Sequence, residues 1–278
     1  MPPSTDKTGV LVGASDTHDS IQSIDLSCSR GGIHNVRAIE GVQISGRVHI
    51  KNGVIIRSAN LDSVGQWQAE RFLHRYGVKA IFDLRDERDI GKKSETTCGI
   101  PVYRLSALHA VDPEVVATYF QGLSQDTPSA FASFYMHICA LSEAAFKTIF
   151  TYIRDNPDCP FLVHCELGKD RTGVFISILL QVLGVSEDYI IGDYHLSQFA
   201  IKPIIAKRVE RLHKHPLIEG LSIAPEALDN HFLALQDSMR LFIGAFRDNY
   251  GDGSGYLRSL GFSCEDIASI QSNLTCIQ

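Results

Sequence analysis

"PFLVHCELGKDRTGVFISILLQVLG", residues 160–184, decides how the chain is read. It leaves an apolar strand through His164 and Cys165, crosses a short polar loop with Lys169, Asp170, Arg171 and Thr172, and enters an apolar helix that ends at Gly184. A loop that only connects needs no cysteine and no paired cations. Loops of this composition between a rigid strand and a rigid helix are where chemistry is usually placed.

Working outward, the same alternation recurs. "VKAIFDLR" (78–85) has the apolar run of a buried parallel strand with a polar end, and "IPVYRLSA" (100–107) reads as a shorter strand. "DSVGQWQAERFLHRYG" (62–77) reads as a helix capped by Asp62 or Ser63 and stopped by Gly77. "VHIKNGVIIRSANL" (48–61) reads as a hairpin turned at Asn52–Gly53. Residues 113–155 carry helical periodicity with a break at "SQDTPS". Further helices are expected over "SEDYIIGDYHLSQFA" with Ser186 as cap, the basic "IKPIIAKRVERLHKH", "APEALDNHFLALQDSMRLFIGAFRDNYG" as one long helix, and "SCEDIASIQSNL". Residues 1–30 read as a loose arm and 31–278 as a single domain. The expected class is α/β, with a central mostly parallel sheet flanked by helices and a helical C-terminal third. In such sheets ligands bind beyond the carboxyl ends of the strands, where Cys165 falls.

Composition narrows the function classes. The 278 residues carry a net charge of −6, so no nucleic-acid partner held by bulk charge is expected. An anionic substrate would need a local positive pocket. The seven cysteines form no C-x-x-C, which suggests neither a disulfide framework nor a zinc site and fits a reducing cytoplasmic setting. The longest apolar run, Val174–Val185, is interrupted by Ser177 and Gln181 and is too short to span a bilayer, so no integral membrane contact is expected.

Cys165 and Arg171 are separated by five residues, the spacing that curls a loop around one tetrahedral anion. The N–H groups of such a loop form a nest, and the following helix adds its positively polarised end. Gly168 permits the turn. Arg171 offers a planar fork to two phosphate oxygens. In that field the Cys165 sulfur is favoured as the thiolate, the nucleophilic form. Thr172 can donate its hydroxyl hydrogen to that sulfur or help it leave phosphorus. The chemistry implied is double displacement at phosphorus through a cysteinyl-phosphate, with inorganic phosphate as product. It requires no metal or other cofactor, because Arg171 and the N–H cradle stabilise the equatorial oxygens.

"HCELGKDRTG" resembles the phosphate-binding loop of cysteine-dependent protein tyrosine phosphatases, and its "GKDRTG" is similar to the bacterial tyrosine phosphatase B branch, with its bacterial and fungal relatives. "IIRSANL", "IFDLRDERD", "IGDYHLSQ" and "YGDGSGYLRSLGFSCEDI" resemble further segments of that branch in order, so the likeness covers about residues 43–274. The resemblance implies a tyrosine-phosphatase-like fold. It implies Cys165 as nucleophile, Arg171 as phosphate clamp, Asp170 as general acid, and Glu166, Leu167, Gly168, Lys169, Thr172 and Arg57 around the substrate. Lys169 would serve a second phosphate or an acidic substrate. Asp83, at the end of its strand, is the rival acid, otherwise a group that orients the loop together with Arg85. The alternative for Asp170 is an ion pair with Arg57 or Arg85. His164 would buttress the loop from beneath.

The resemblance implies hydrolysis of phosphomonoesters, foremost protein phosphotyrosine with dual specificity, or else phosphoinositides. A silent phosphate-binding module, or a sulfur transferase or arsenate reductase on a similar loop, is the remaining alternative. Glu166 at the rim weighs against polyphosphorylated inositols and Leu167 suits an aromatic ring, unless both simply face solvent. Residues 113–138 lie where relatives have a helical lid, with Tyr119, Phe120, Phe131 and Phe134 as candidate gating aromatics or ordinary core. Lys202, Lys207, Arg208, Arg211 and Lys214 read as a solvated basic helix face, or a contact for an anionic membrane. Cys98 or Cys159 could form a protective disulfide with Cys165 on oxidation.

Overall fold

The structure, a computed structural model, describes residues 32–62, 64–87, 89–90, 99–108, 111–213, 218 and 221–277. The expected N-terminal arm, Ser63, Cys98 and Lys214 lie outside these.

Strand β7 (Phe161–His164) is the centre of the molecule. It is flanked on both sides by parallel neighbours, β4 (Ile55–Ser58) and β5 (Ala80–Asp83), in a five-stranded sheet of order β1–β4–β7–β5–β6. β1 (Arg37–Ile39) closes one edge antiparallel to β4, and β6 (Val102–Arg104) closes the other in parallel. The alternation of a strand explains why β7 is apolar throughout. Leu162 turns to one face, where Ile56, Ile81 and α1 (Gln66–Arg75) bury it; Phe161 and Val163 turn to the other, into the main helical core. Ser58, Asp83 and His164 stand in register at the carboxyl end of the three central strands. Three chain segments therefore deliver polar groups to one sheet edge.

The helices on the main core side are α2 (Pro113–Leu123), α3 (Thr127–Leu141), α4 (Glu143–Asp155), α5 (Asp170–Val182) and α6 (Glu187–Ala200). They are followed by α7 (Ile205–His213), α8 (Pro225–His231), α9 (Gln236–Tyr250), α10 (Gly253–Ser259) and α11 (Cys264–Leu274). α5 is buried nearly all round, because it sits between the sheet and the C-terminal helices. Gly253 lets α10 come up against it: a Cβ there would lie 2.6 Å from the Val182 nitrogen. No described helix is long and apolar enough to cross a membrane.

The α/β class, the mostly parallel sheet and the helical C-terminal third follow the sequence reading; several elements do not. Asn52–Gly53 turns the chain, with Gly53 at φ +70, but joins two different sheets and makes no hairpin. β3 (Val48–Ile50) pairs with β2 (Gln43–Ser45) and with β8 (Thr275–Ile277), a strand without a sequence signal. α1 starts after Gly65, which has no side chain to cap it, while Asp62, one of the expected caps, pairs with Arg85. The long helix expected after Ala224 is two, α8 and α9, parted by Phe232–Leu235. The candidate lid is a packed layer. Tyr119, Phe120 and Phe131 are buried, and Tyr119 stacks on Phe134 with ring centroids 4.5 Å apart.

Candidate active site

The loop from Cys165 to Lys169 leaves β7 and enters α5 directly. Its shape is set from outside by three tethers on successive carbonyls. The Glu166 oxygen accepts from Asn60 Nδ2 at 3.1 Å, the Leu167 oxygen from Asn35 Nδ2 at 2.9 Å, and the Gly168 oxygen from Arg57 Nη2 at 2.6 Å. In a trans peptide the N–H points opposite to the C=O. Carbonyls drawn outward therefore turn amides inward, toward the space in front of Cys165. Gly168 sits at φ +64, and a Cβ there would stand 2.2 Å from the Ser58 oxygen. No other residue fits so close to β4.

The tethers are themselves fixed. Asp193 on α6 accepts from Arg57 Nη1 and, at 2.6 Å, from Arg37 Nε; Arg37 Nη1 donates to Asn35 Oδ1 at 2.6 Å. All four residues are buried. Burial alone would raise the Asp193 carboxyl, but Arg37 and Arg57 outweigh it and hold it below its ordinary value. Burial, then Arg37, lowers the Arg57 guanidinium to about 10, with Asp193 restoring part of its affinity for the proton. Arg57 thus acts as a prop behind the loop. The sequence reading had placed it with the substrate.

Cys165 is 2% exposed, at the bottom of the cradle. Arg57, Lys169 and Arg171 are near enough that a negative charge on its sulfur would favour their cationic forms. His164 Nδ1 lies 3.4 Å from the Cys165 carbonyl oxygen and 3.8 Å from Asp83. Arg171 Nη1 donates to the Leu84 carbonyl at 3.2 Å and to Asp89 Oδ2 at 2.5 Å. Burial works against its charge, but Asp89, with Cys165 and Glu166, more than compensates, so its proton is held more firmly than usual. Asp89 fixes one nitrogen of the fork. The Thr172 hydroxyl is buried and finds no hydrogen-bond partner among the described residues. A buried donor left unpaired in this way calls for a physical explanation.

The two candidate acids differ. Asp83 is fully buried and accepts from Arg85 N, Nε and Nη2 at 2.9–3.0 Å. Burial would raise its carboxyl; His164 and then Arg85 hold it low. Asp83 and Arg85 are a brace, tied onward to Asp62 at 2.7 Å. Asp170 opens α5. Its Oδ1 accepts from Lys169 Nζ at 2.6 Å and from Tyr135 Oη at 2.7 Å, and Oδ2 receives no bond from the described residues. Burial pushes this carboxyl up, and Lys169, then His231, pull it down further, so the net direction is down. Its ion pair is with Lys169, not with Arg57 or Arg85.

Lys169 departs from expectation. Its side chain is wholly buried, donating to Asp170 and, at 3.0 Å, to the Leu233 carbonyl, with Nζ 4.2 Å from the Phe131 ring centre. These are the contacts of an interior ammonium, and none reaches the mouth where a second phosphate would arrive. Glu166 and Leu167 do not face solvent either. Leu167 packs on Ile201 and Phe232, and Glu166 accepts from Asn60, Arg208 and Arg211. Of the basic residues expected on a solvated face, Lys202 and Lys207 are exposed, whereas Arg208 and Arg211 of α7 reach the loop through Glu166. Cys159 stands at the far end of β7. Six residues at a strand rise of ~3.3 Å put it on the order of 20 Å from Cys165, well outside the ~7 Å Cα limit of a disulfide.

The sequence reading missed Asp89, His231 and the Asn35–Arg37 props. His231 lies above the loop with Phe232, and its Nδ1 is 3.0 Å from Tyr119 Oη. Burial, then Lys169, lowers it to about 4 against the pull of Asp170, so it is neutral at neutral pH. No local pattern distinguishes it, because it reaches the site from a distant helix end.

A family profile described as "Tyrosine phosphatase family" matches residues 29–276. A "Tyrosine-protein phosphatase" of Nostoc commune is 28% identical over 199 residues, 71% of this chain and 66% of that protein. The "Triple specificity protein phosphatase PtpB" of Mycobacterium tuberculosis is 31% identical over 112 residues, 37% of this chain and 40% of its own. The matched stretches thus span less than two thirds of either relative. Among solved structures, TpbA of P. aeruginosa aligns over 80% of this chain and 96% of its own, at 16% identity and a TM-score of 0.30, too low to add weight. With the profile covering nearly the whole sequence around this loop, the chain belongs to the tyrosine phosphatase family.

Proposed function

We propose that this protein hydrolyses phosphomonoesters through a cysteinyl-phosphate, with protein phosphotyrosine as its foremost substrate. The observation that carries the reading is the cradle itself. Three successive carbonyls are tied outward by Asn60, Asn35 and Arg57, between a buried cysteine and a buried arginine. An amide nest of this kind with a guanidinium beside it fits a phosphate dianion.

The Cys165 sulfur attacks phosphorus, the S–P bond forms and the P–O ester bond breaks. The departing oxygen takes a proton from Asp170. Water then attacks the cysteinyl-phosphate, returns a proton to Asp170 and releases inorganic phosphate. The Lys169 ammonium holds Asp170 toward its carboxylate form. A dianion entering the cradle opposes that field and favours the protonated acid. Arg171 and the amides hold the equatorial oxygens, and the Thr172 hydroxyl is placed to aid release of the sulfur. The depth of Cys165 favours a phosphate carried on an aromatic ring over one on a short serine side chain, so serine and threonine esters are the weaker substrates. Inositides are disfavoured because Lys169 is committed to the interior.

The test is phosphate release from a phosphotyrosine peptide, a phosphoserine peptide and phosphoinositides in the presence of a metal chelator. The expected result is turnover of the tyrosine peptide, unaffected by chelator and abolished in Cys165→Ser. Inositide hydrolysis ahead of the peptide would replace the substrate assignment. Phosphate binding without release would move the protein to the silent-module reading.

A further inference from the structure

α7 lies across the mouth of the cradle. Arg208 Nη1 donates to Glu166 Oε1, and Arg211 Nη1 reaches the same oxygen at 3.0 Å. The other oxygen, Oε2, accepts from Asn60 at 2.8 Å and is 3.8 Å from Arg85 Nη1. Arg211 also donates to the Asp89 carbonyl. Glu166, Arg208 and Arg211, with Asp89, Leu167, Leu212, His231 and Phe232, line a small open cavity of about 70 Å³.

Among the described residues, the ion pairs at this mouth leave the cations in excess. Arg85 is neutralised by Asp83 and Asp62, and Arg171 by Asp89. Among the described residues, Glu166 is the carboxylate that Arg208 and Arg211 share, one anion between two cations. Arg208 is mostly buried, with a side chain 14% exposed, and its Nε is buried without a hydrogen-bond partner among the described residues. A buried guanidinium donor left unpaired is a cost that an incoming acceptor removes. Arg211, with 43% of its side chain exposed, faces solvent and can be approached from outside. Half-buried His34 also feels Arg208. Burial, then that charge, lowers its affinity for a proton, so it adds no positive charge of its own at neutral pH. The walls between the arginines and the cradle are apolar, from Leu167, Phe232 and Leu212.

We propose that Arg208 and Arg211 are specificity-determining residues that receive a carboxylate flanking the phosphotyrosine, and that Glu166 occupies their place until such a substrate arrives. This rests on the phosphatase reading. The apolar wall takes the aromatic ring, the cradle takes its phosphate, and the acidic neighbour of the substrate takes over from Glu166. An acidic peptide meets a site with one cation in excess, whereas a neutral one must leave the Glu166 clamp in place or break it without replacement.

Two phosphotyrosine peptides decide the matter, identical except that glutamates flank the phosphotyrosine in one and glutamines in the other. In the parent the glutamate peptide is preferred. In Arg208→Ala/Arg211→Ala the glutamate-to-glutamine ratio of kcat/KM falls about tenfold, through KM. Lys207→Ala, which removes an exposed charge from the same helix, leaves the ratio in place. Glu166→Gln raises it. An unchanged ratio in a double variant that melts like the parent overturns the proposal. So does a double variant that keeps its peptide preference but loses parent-like binding to phosphatidylserine vesicles, which would make this face a lipid contact. If the parent releases phosphate from neither peptide, the phosphatase reading fails. Calorimetric binding of both peptides to Cys165→Ser then still decides the anion site, by the same ratio.

Discussion

At the scale of single residues, the site is a set of groups whose freedom has been removed by contacts behind them. Gly168 shows this most sharply. Replacing it with alanine drives a Cβ into the Ser58 carbonyl, 2.2 Å away, at a positive φ. Overpacking against backbone plus a left-handed alanine should cost ~3 kcal/mol. Gly168→Ala is therefore expected to melt well below the parent and to lose phosphate binding with it, as thermal denaturation with and without inorganic phosphate would measure. A parent-like melt with parent-like phosphate stabilisation would show that β4 does not constrain the loop. Asp170 makes a second residue-scale prediction. If it protonates the leaving oxygen, Asp170→Asn should slow an alkyl phosphate by roughly 100-fold or more and para-nitrophenyl phosphate far less, since nitrophenolate needs no proton. Equal losses on both would reduce it to the partner of Lys169. That Cys165, Gly168 and Arg171 share one loop between strand and helix was legible in the sequence, because their spacing is fixed within a single short connection. Lys169 was misread for the converse reason. Spacing gives its position in the loop but not the side of the loop on which Asp170, Phe131 and the Leu233 carbonyl wait. Asp89 and His231 had no signal, each being a common residue type brought to the site by tertiary structure.

At the scale of elements, the loop is held by β1, β4 and α6 acting through one buried network. Asp193 joins them, and its two arginine partners are fully buried. Removing one partner of such a cluster leaves uncompensated charge, a loss of about 3–5 kcal/mol. Asp193→Ala should show that loss in chemical denaturation, together with weakened phosphate binding at a site it never touches. Stability at the parent's level would mean that the network is not under electrostatic tension. The pH dependence follows from the direction of the shifts. Asp83, Asp170 and Asp193 are all depressed, so their stabilisation is complete above the ordinary carboxyl value of about 4 and is lost as pH falls through their lower folded values. Asp193→Asn should therefore flatten the acid limb of a stability profile below pH ~4, and an unaltered limb would contradict the assignment. Most elements were legible from periodicity, and β7–loop–α5 most of all. The break between α8 and α9 was not, because "HFLALQ" (231–236) contains no glycine or proline. Long-range bonds make the break: Gln198 accepts from the Ala234 N–H, His195 meets the Ala234 carbonyl, and Lys169 donates to Leu233. That same break sets Phe232 over the cradle.

At the scale of the whole molecule, the mostly parallel sheet gathers strand ends at one edge and the C-terminal helices close over them. The sequence disclosed the sheet, since a strand buried on both faces must be apolar throughout. It did not disclose that Arg208 and Arg211, in the basic stretch after residue 200, would pair with Glu166 of the loop, because amphipathic periodicity says which residues share a face and not what that face meets. The molecule's central claim is that this assembly makes Cys165 a phosphoryl acceptor. The most direct measurement is acid quench of the enzyme turning over a phosphotyrosine peptide, followed by mass analysis of the peptide carrying Cys165. The account predicts a phosphoryl adduct on Cys165 that rises within the first turnover and is absent in Cys165→Ser. Phosphate release with no adduct on Cys165 at any quench time, or with undiminished release in Cys165→Ser, would contradict it.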